Sequence, residues 1–274
     1  MLPFTYAIRH LLRDPVRLLQ KLSGAALVVF LLFAAGSFNA GMDGLLRGSG
    51  SSRNVIFLGA GSEESVERSE VRADSESQIA AGVRGISTRA GVAAVSGEVH
   101  YMGIFDTVGK TGARALARGI SPSAFEVHCE VRLTNGHYPR SGEVIVGRLA
   151  AHALGIVESD LKSGSMLRFE GSNLTVAGTF EAPGTVMESE IWMDRSDLMT
   201  LVLRDTLSCV VVRMERAETY AEADLFAKQR LDLELVAIRE TDYYAKLSEF
   251  YEPIRMMTWL TAALVAAGAV FGGI

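Results

Sequence analysis

"LSGAALVVFLLFAAGSFNAGM", Leu22–Met42, is twenty-one residues without a charge, bounded by Lys21 and Asp43. A helix rises about 1.5 Å per residue, so this run makes a rod of about 30 Å, the thickness of a bilayer's hydrocarbon core. A second uncharged run, "MMTWLTAALVAAGAVFGGI" (Met256–Ile274), covers nineteen residues after Arg255. Leu22, Met42, Met256 and Ile274 thus mark the ends of two expected membrane helices. The stretch between the runs must fold in water. Composition agrees: 49% of residues are hydrophobic, yet 22% are charged, too many for a chain that lies wholly in the membrane.

A cleaved signal peptide would need a short basic start, an apolar core of about 7–15 residues and a small-residue cleavage site. Leu22–Met42 is longer, and the residues before it have a pattern of their own, so the run reads as a retained helix. Arg9, Arg13, Arg17 and Lys21 precede it against Asp14 alone. The positive-inside rule then puts the N-terminus in the cytoplasm and residues about 47–250 outside it. The whole chain carries −5, so the outer part is acidic. With no basic stripe, a nucleic-acid partner is not expected.

Residues 3–14 place Phe4, Ala7, Ile8, Leu11 and Leu12 on one helical face. The segment is either an amphipathic elbow on the inner membrane surface or the start of the membrane helix itself. Asp14 can cap a helix, and Pro15 fits a first turn, where no backbone N–H is needed. A helix from Pro15 to about Leu46 follows, longer than the membrane is thick, so it projects as a stalk. Beyond it, strands are expected at 54–58, 92–105, 113–120, 142–147, 165–170, 173–180, 207–214 and 231–238. Helices are expected at 75–86, 148–154 (closed by Gly155), 194–203 and 218–229. Asn135-Gly136 and Gly171-Ser172 read as turns. From Glu240 a helix leads into the final run. Pro253 within it is either a hinge where stalk meets membrane or the start of a new helix. Tyr243, Tyr244, Phe250, Tyr251 and Trp259 suit core packing and interfacial anchoring. Strands and helices mix without a βαβ rhythm, which makes the outer body an α+β domain.

Catalytic and ligand-binding patterns fail on inspection. Gly109-Lys110-Thr111 lacks the P-loop glycine five residues earlier, where Ile104 stands. Gly59 and Gly61 lack the third glycine of a dinucleotide fingerprint, since residue 64 is Glu64. His10, His100, His128, His137 and His152 have no metal-type partner at helical or Cys-x-x-Cys spacing. His128 and Cys129 are adjacent, so on a strand they face opposite ways. Neither a catalytic residue nor a cofactor or metal ligand is expected. Cys129 and Cys209 either pair or are separate small groups.

"RHLLRDPVRLLQKLSGAALVVFLLFAAGSF" (Arg9–Phe38) is similar to the opening of FtsX-like, MacB-type ABC transporter permeases. "ARGISPSAFE" (Ala117–Glu126), "LTNGHYPRSGEVIVGRLAAHALGI" (Leu133–Ile156) and "LRFEGSNLTVAGTFEAPGTVMESEIWMD" (Leu167–Asp194) resemble, in order, segments of their periplasmic core domain. His137 stands where that family usually has Arg, and the usual Gly-Asp before the hairpin is replaced by Ser159-Asp160 with Gly164 later.

The resemblance implies four parts: an elbow (1–14), a membrane helix with stalk (15–46), a MacB-like periplasmic α+β core (47–239), and a second stalk and membrane helix (240–274). It also implies a non-enzymatic subunit of the inner membrane, N-terminus inside. Such a subunit would pair with a second permease copy, identical or related, and transmit motion from a cytoplasmic ABC ATPase. Membrane lipids and a periplasmic protein would be further partners. The family pattern has four spans, three of them after the outer domain, so this chain is expected to be the first part of a longer permease. The small residues Ala262, Ala263, Ala266, Ala267, Gly268, Gly272 and Gly273 would pack against another helix. A two-span receptor's sensor region shares the layout, and an extracytoplasmic enzyme or binding protein would fit if the first run were cleaved.

Overall fold

The computed structural model describes residues 15–107 and 109–272. The elbow at Phe4–Asp14 and the terminal Ile274 lie outside the described residues. The chain divides into two compact units, one being Leu45–Leu247 and the other holding the chain up to Gly44 and from Ser248.

Among the described residues α1 spans Pro15–Ser49 without a break. Leu27, Phe30, Phe33 and Phe38 along it are exposed, a surface that water does not tolerate in a row. Leu22–Ser49 contains an 18-residue window with a mean hydropathy of 1.9 and, among the described residues, is the one segment long and apolar enough to cross a membrane.

The domain follows in the order β1 (Asn54–Gly59), α2 (Ser75–Gly82), β2 (Thr88–Arg89), β3 (Val92–Ala93), β4 (Val95–Thr107) and β5 (Lys110–Ile120). Next come α3 (Ala124–Val127), β6 (Arg132–Gly136), β7 (Glu143–Gly147), α4 (Ala150–Leu154), β8 (Met166–Phe169) and β9 (Ser172–Glu181). Then follow β10 (Ile191–Asp194), α5 (Arg195–Leu201), β11 (Cys209–Arg213), α6 (Tyr220–Gln229), β12 (Leu235–Arg239), α7 (Glu240–Phe250) and α8 (Glu252–Gly272).

The main sheet runs β12-β1-β11-β4-β5-β10-β7-β9-β6. All neighbours are antiparallel except β10 with β5 and β7 with β9. β8 pairs with both β4 and β9, so β4-β5-β10-β7-β9-β8 closes into a ring. β4 makes this possible by its length. Val95–Glu98 pair with β11, Val99–Phe105 pair with β5, and Phe105–Asp106 pair with β8. One face of the sheet carries Val55, Phe57, Val99, Ala117, Ile191 and Val210, which pack with Ile79 of α2, Leu198 of α5 and Phe226 of α6. The other face carries a smaller cluster with Ile120, Ile145, Phe180 and Trp192.

Several local expectations are corrected. α2 ends at Gly82 rather than 86: Val83 is already extended, and Ile86 forms a bridge with Met214 instead of a helical turn. Asn135-Gly136 is the end of β6, not a free turn. The Asn135 side chain accepts the Thr179 N–H, and the register slips between Leu133 and Asn135. The hairpin turn between β8 and β9 is Glu170-Gly171, both at positive φ (46° and 79°), as a tight primed turn requires. The strand expected from Leu231 begins at Leu235, after a 3-10 turn ended by left-handed Glu234. The helix from Glu240 is interrupted at Tyr251, and Pro253 lies in the first turn of α8.

Gly136 combines φ +81° with a Cβ position that would collide with the Ala177 carbonyl oxygen of β9. Gly164 has φ +89° but open space around it. Gly136→Ala is therefore expected to destabilise the domain by roughly 1–3 kcal/mol beyond Gly164→Ala. Urea unfolding of the two variants checks this; equal losses would mean that the β6–β9 contact is not tight.

Candidate functional site

Side chains two apart on a strand share a face, so β4 sends Glu98 and His100 the same way. The register sets Cys209 opposite Glu98 and Arg118 opposite His100. Trp192 of β10 lies beside Arg118. His128 enters just after α3, Glu190 just before β10, and Glu240 opens α7. Glu98, Arg118, His128, Glu190 and Glu240 are each at most 3% exposed, so every charge must find its partner inside the protein.

They do. Oε1 of Glu98 accepts a hydrogen bond from His128 Nε2 at 2.7 Å. Oε2 accepts one from Arg118 Nη1 at 2.7 Å and lies 3.2 Å from His100 Nε2. Arg118 donates Nε and Nη2 to the two oxygens of Glu190, both at 2.7 Å. The Trp192 indole N–H donates to Glu190 at 2.7 Å, and the guanidinium sits 5.4 Å from the Trp192 ring centre. On its far side, His128 Nδ1 faces Glu130 at 3.8 Å and Glu240 at 4.0 Å. Glu240 accepts from the Ser51 N–H at 2.9 Å and from Asn54 Nδ2 at 3.0 Å.

The electrostatics follow from this geometry. Burial pushes the Glu98 carboxyl up, but His128, Arg118 and the histidine hydrogen bonds together hold it well below the usual carboxylate range. Burial favours neutral His128, yet Glu98, with Glu130 and Glu240, raises it to about 10. Glu190 is lowered by Arg118 against its burial. Burial and the nearby Arg118 push His100 down, and burial pushes the Cys209 thiol well up. A thiol so held is a poor nucleophile.

Beside the cluster is a cavity of about 190 Å³ lined by His100, Arg118, Glu190 and Cys209, with Tyr243 and Tyr244 of α7 as part of its apolar wall.

The residues singled out in the sequence lie elsewhere. Leu22 is exposed on α1, Met256 is exposed on α8, and Met42 is half-buried on α1. Arg255 pairs with Asp43 at 3.4 Å, and Ser248 donates to the same carboxylate at 2.9 Å. Cys129 is exposed, Cys209 is buried, and both are free thiols. His137 lies 3.6 Å from Glu143. The buried cluster has no local signature; its one hint is Glu98-x-His100 inside an otherwise small and apolar strand.

Glu98→Gln leaves Arg118 and His128 buried without their shared anion, which should cost roughly 3–5 kcal/mol. Because His128 binds its proton more tightly when folded, its contribution is complete below pH 6.5 and lost as pH rises toward about 10. Unfolding free energy is therefore expected to fall from pH 6.5 to 10 in the parent chain, and to fall less in His128→Gln. A parallel pH profile for the two would disprove the pairing.

Among curated proteins, none matches this chain. The periplasmic region of MacB from Actinobacillus actinomycetemcomitans superposes with a TM-score of 0.53 at 14% identity, covering 74% of this chain and 95% of that one. The extracellular domain of the noncanonic ABC-type transporter YknZ from Gram-positive bacteria superposes at 0.51 and 14% identity, covering 68% and 99%. These likenesses establish the fold. The family profile described as MacB-like periplasmic core domain matches residues 22–224, which include most of α1 and the domain as far as the first half of α6. The resemblance read from the sequence and its α+β fold class are both borne out, and the apolar α1 with this match supports a membrane location. The chain belongs to the MacB-like periplasmic core domain family.

Proposed function

We propose that this chain is a permease subunit of an ABC transporter, in which a cytoplasmic ATPase moves membrane helices and the outer domain receives the motion. The observation that carries this reading is the extent of the family match, which begins at residue 22 and so joins an apolar helix to the α+β domain in one unit. Two features of the domain suit such a role. The last turn of α1, Leu45–Ser49, is built into it: Leu46 is buried, and the Ser49 hydroxyl accepts the Val186 N–H at 2.9 Å. The segment leaving α1 is then tied to the start of α7 by one carboxylate, since Glu240 holds the Ser51 N–H and Asn54. Both helical connections of the domain thus meet at Glu240.

In this reading the N-terminus is cytoplasmic, residues about 47–250 are outside, and the run Met256–Ile274, which extends past the described residues, is the second span. Leu22, Met42, Met256 and Ile274 mark the membrane boundaries, and the Tyr251–Pro253 break is the hinge. The subunit works as a pair with an identical or related permease, among membrane lipids and with a periplasmic partner. It performs no catalysis itself.

Two experiments test this. Affinity purification of the protein from its native membrane in mild detergent is expected to bring down an ABC ATPase; repeated absence of one would count against the coupling. A membrane-impermeant thiol reagent is expected to label exposed Cys129 in intact cells and to spare buried Cys209. A cysteine placed at Thr5 should react only after lysis. The opposite pattern would reverse the topology.

A further inference from the structure

We propose that Glu98, His100 and Cys209 form a site for one zinc-type divalent metal ion, with a water from the adjoining cavity as fourth ligand. Their donor atoms all lie within 4.8 Å of one another, and all three residues are buried. Zinc binds nitrogen and oxygen at about 2.0–2.2 Å and sulfur at about 2.3 Å, so tetrahedral donors lie about 3.3–3.8 Å apart. Oε2 of Glu98 and Nε2 of His100, at 3.2 Å, are already close to that spacing. The thiol needs a shift of at most about 1 Å to complete it.

The placement is rigid. Glu98 and His100 are i and i+2 on β4, and Cys209 is the cross-strand partner of Glu98 on β11. Sites carried on strands keep their geometry better than sites on loops. The existing hydrogen bonds do not close the site. A carboxylate offers about four lone-pair positions. His128 occupies one on Oε1 and Arg118 one on Oε2, which leaves Oε2 a lone pair for a metal. These two donors would then orient the ligating carboxylate, as outer partners do in metal sites.

Charge points the same way. Three buried carboxylates, Glu98, Glu190 and Glu240, share two cationic partners, Arg118 and His128. A divalent ion that displaces the Cys209 proton adds one net positive charge to this carboxylate-rich group, with that proton released to solvent. A mixed sulfur, nitrogen and carboxylate donor set selects zinc-like ions over calcium or magnesium. His100 and Cys209 both line the cavity, which supplies the route in and space for the water.

The test uses the full chain in detergent, stripped by chelator, kept reduced and titrated with Co²⁺. One equivalent is expected to bind, giving a thiolate-to-cobalt charge-transfer band and the intense visible bands of tetrahedral cobalt, with Zn²⁺ displacing both. Cys209→Ser should abolish the charge-transfer band, and His100→Gln should weaken cobalt binding at least tenfold. Cys129→Ser should leave the spectrum unchanged. Thermal unfolding of the stripped variants reports whether they are folded, and saturating Zn²⁺ should raise the midpoint of the parent but not of Cys209→Ser. Absence of cobalt binding, a band that survives Cys209→Ser, or a band lost in Cys129→Ser would each overturn the assignment. The last result would mean that only the exposed thiol binds metal.

Discussion

The carboxylate of Glu98 is fully enclosed, and a buried carboxylate is tolerable only when donors meet it on both oxygens. Those donors come from distant parts of the chain: Arg118 from β5 and His128 from beyond α3. Arg118 in turn needs Glu190, which fixes the approach to β10, where Trp192 adds its indole N–H. His128 has Glu240 on its other side, and Glu240 holds the segment leaving α1. One enclosed anion thus constrains the register of β4 with β5, the docking of α3 and the start of α7. A slip of one residue in β4 would turn Glu98 toward the apolar face formed by Val99 and Phe57 and leave a cation stranded on the other. Apolar strands alone tolerate such errors more readily than a strand carrying this charge does.

The cluster also joins connections that are far apart in the sequence. The segment leaving α1 and the start of α7 meet at Glu240, which accepts from the Ser51 N–H and from Asn54. Arg148 and Glu188, paired at 3.1 Å near the residues that receive Ser49, add a partly exposed ion pair at the margin.

Much of the architecture was legible because it rests on local physics. The uncharged run after Lys21, the glycine cap at Gly155 and the buried run of β1 are each decided by neighbours in sequence. The order of family-like segments supplied the fold class. Where reading failed, the deciding partner was remote. Ile86 left a helical pattern because Met214 offered a bridge. Asn135-Gly136 has every mark of a turn, yet β9 recruits it as an edge strand through the Asn135 side chain. The site itself was invisible for the same reason: Glu98 and Cys209 are 111 positions apart and adjacent only through strand register. The histidines were judged by spacing along single elements, a test that cannot detect a cross-strand neighbour.

β4 belongs to both parts of the sheet, and this bears on how such a domain can be altered. Its first residues complete the strip with β11, β1 and β12, and its later ones close the ring through β5 and β8. Neither part retains its edge strand if the chain is divided here, so the domain cannot be dissected into two independent modules or recombined by exchanging halves. A change within β4 therefore reaches both parts of the sheet at once.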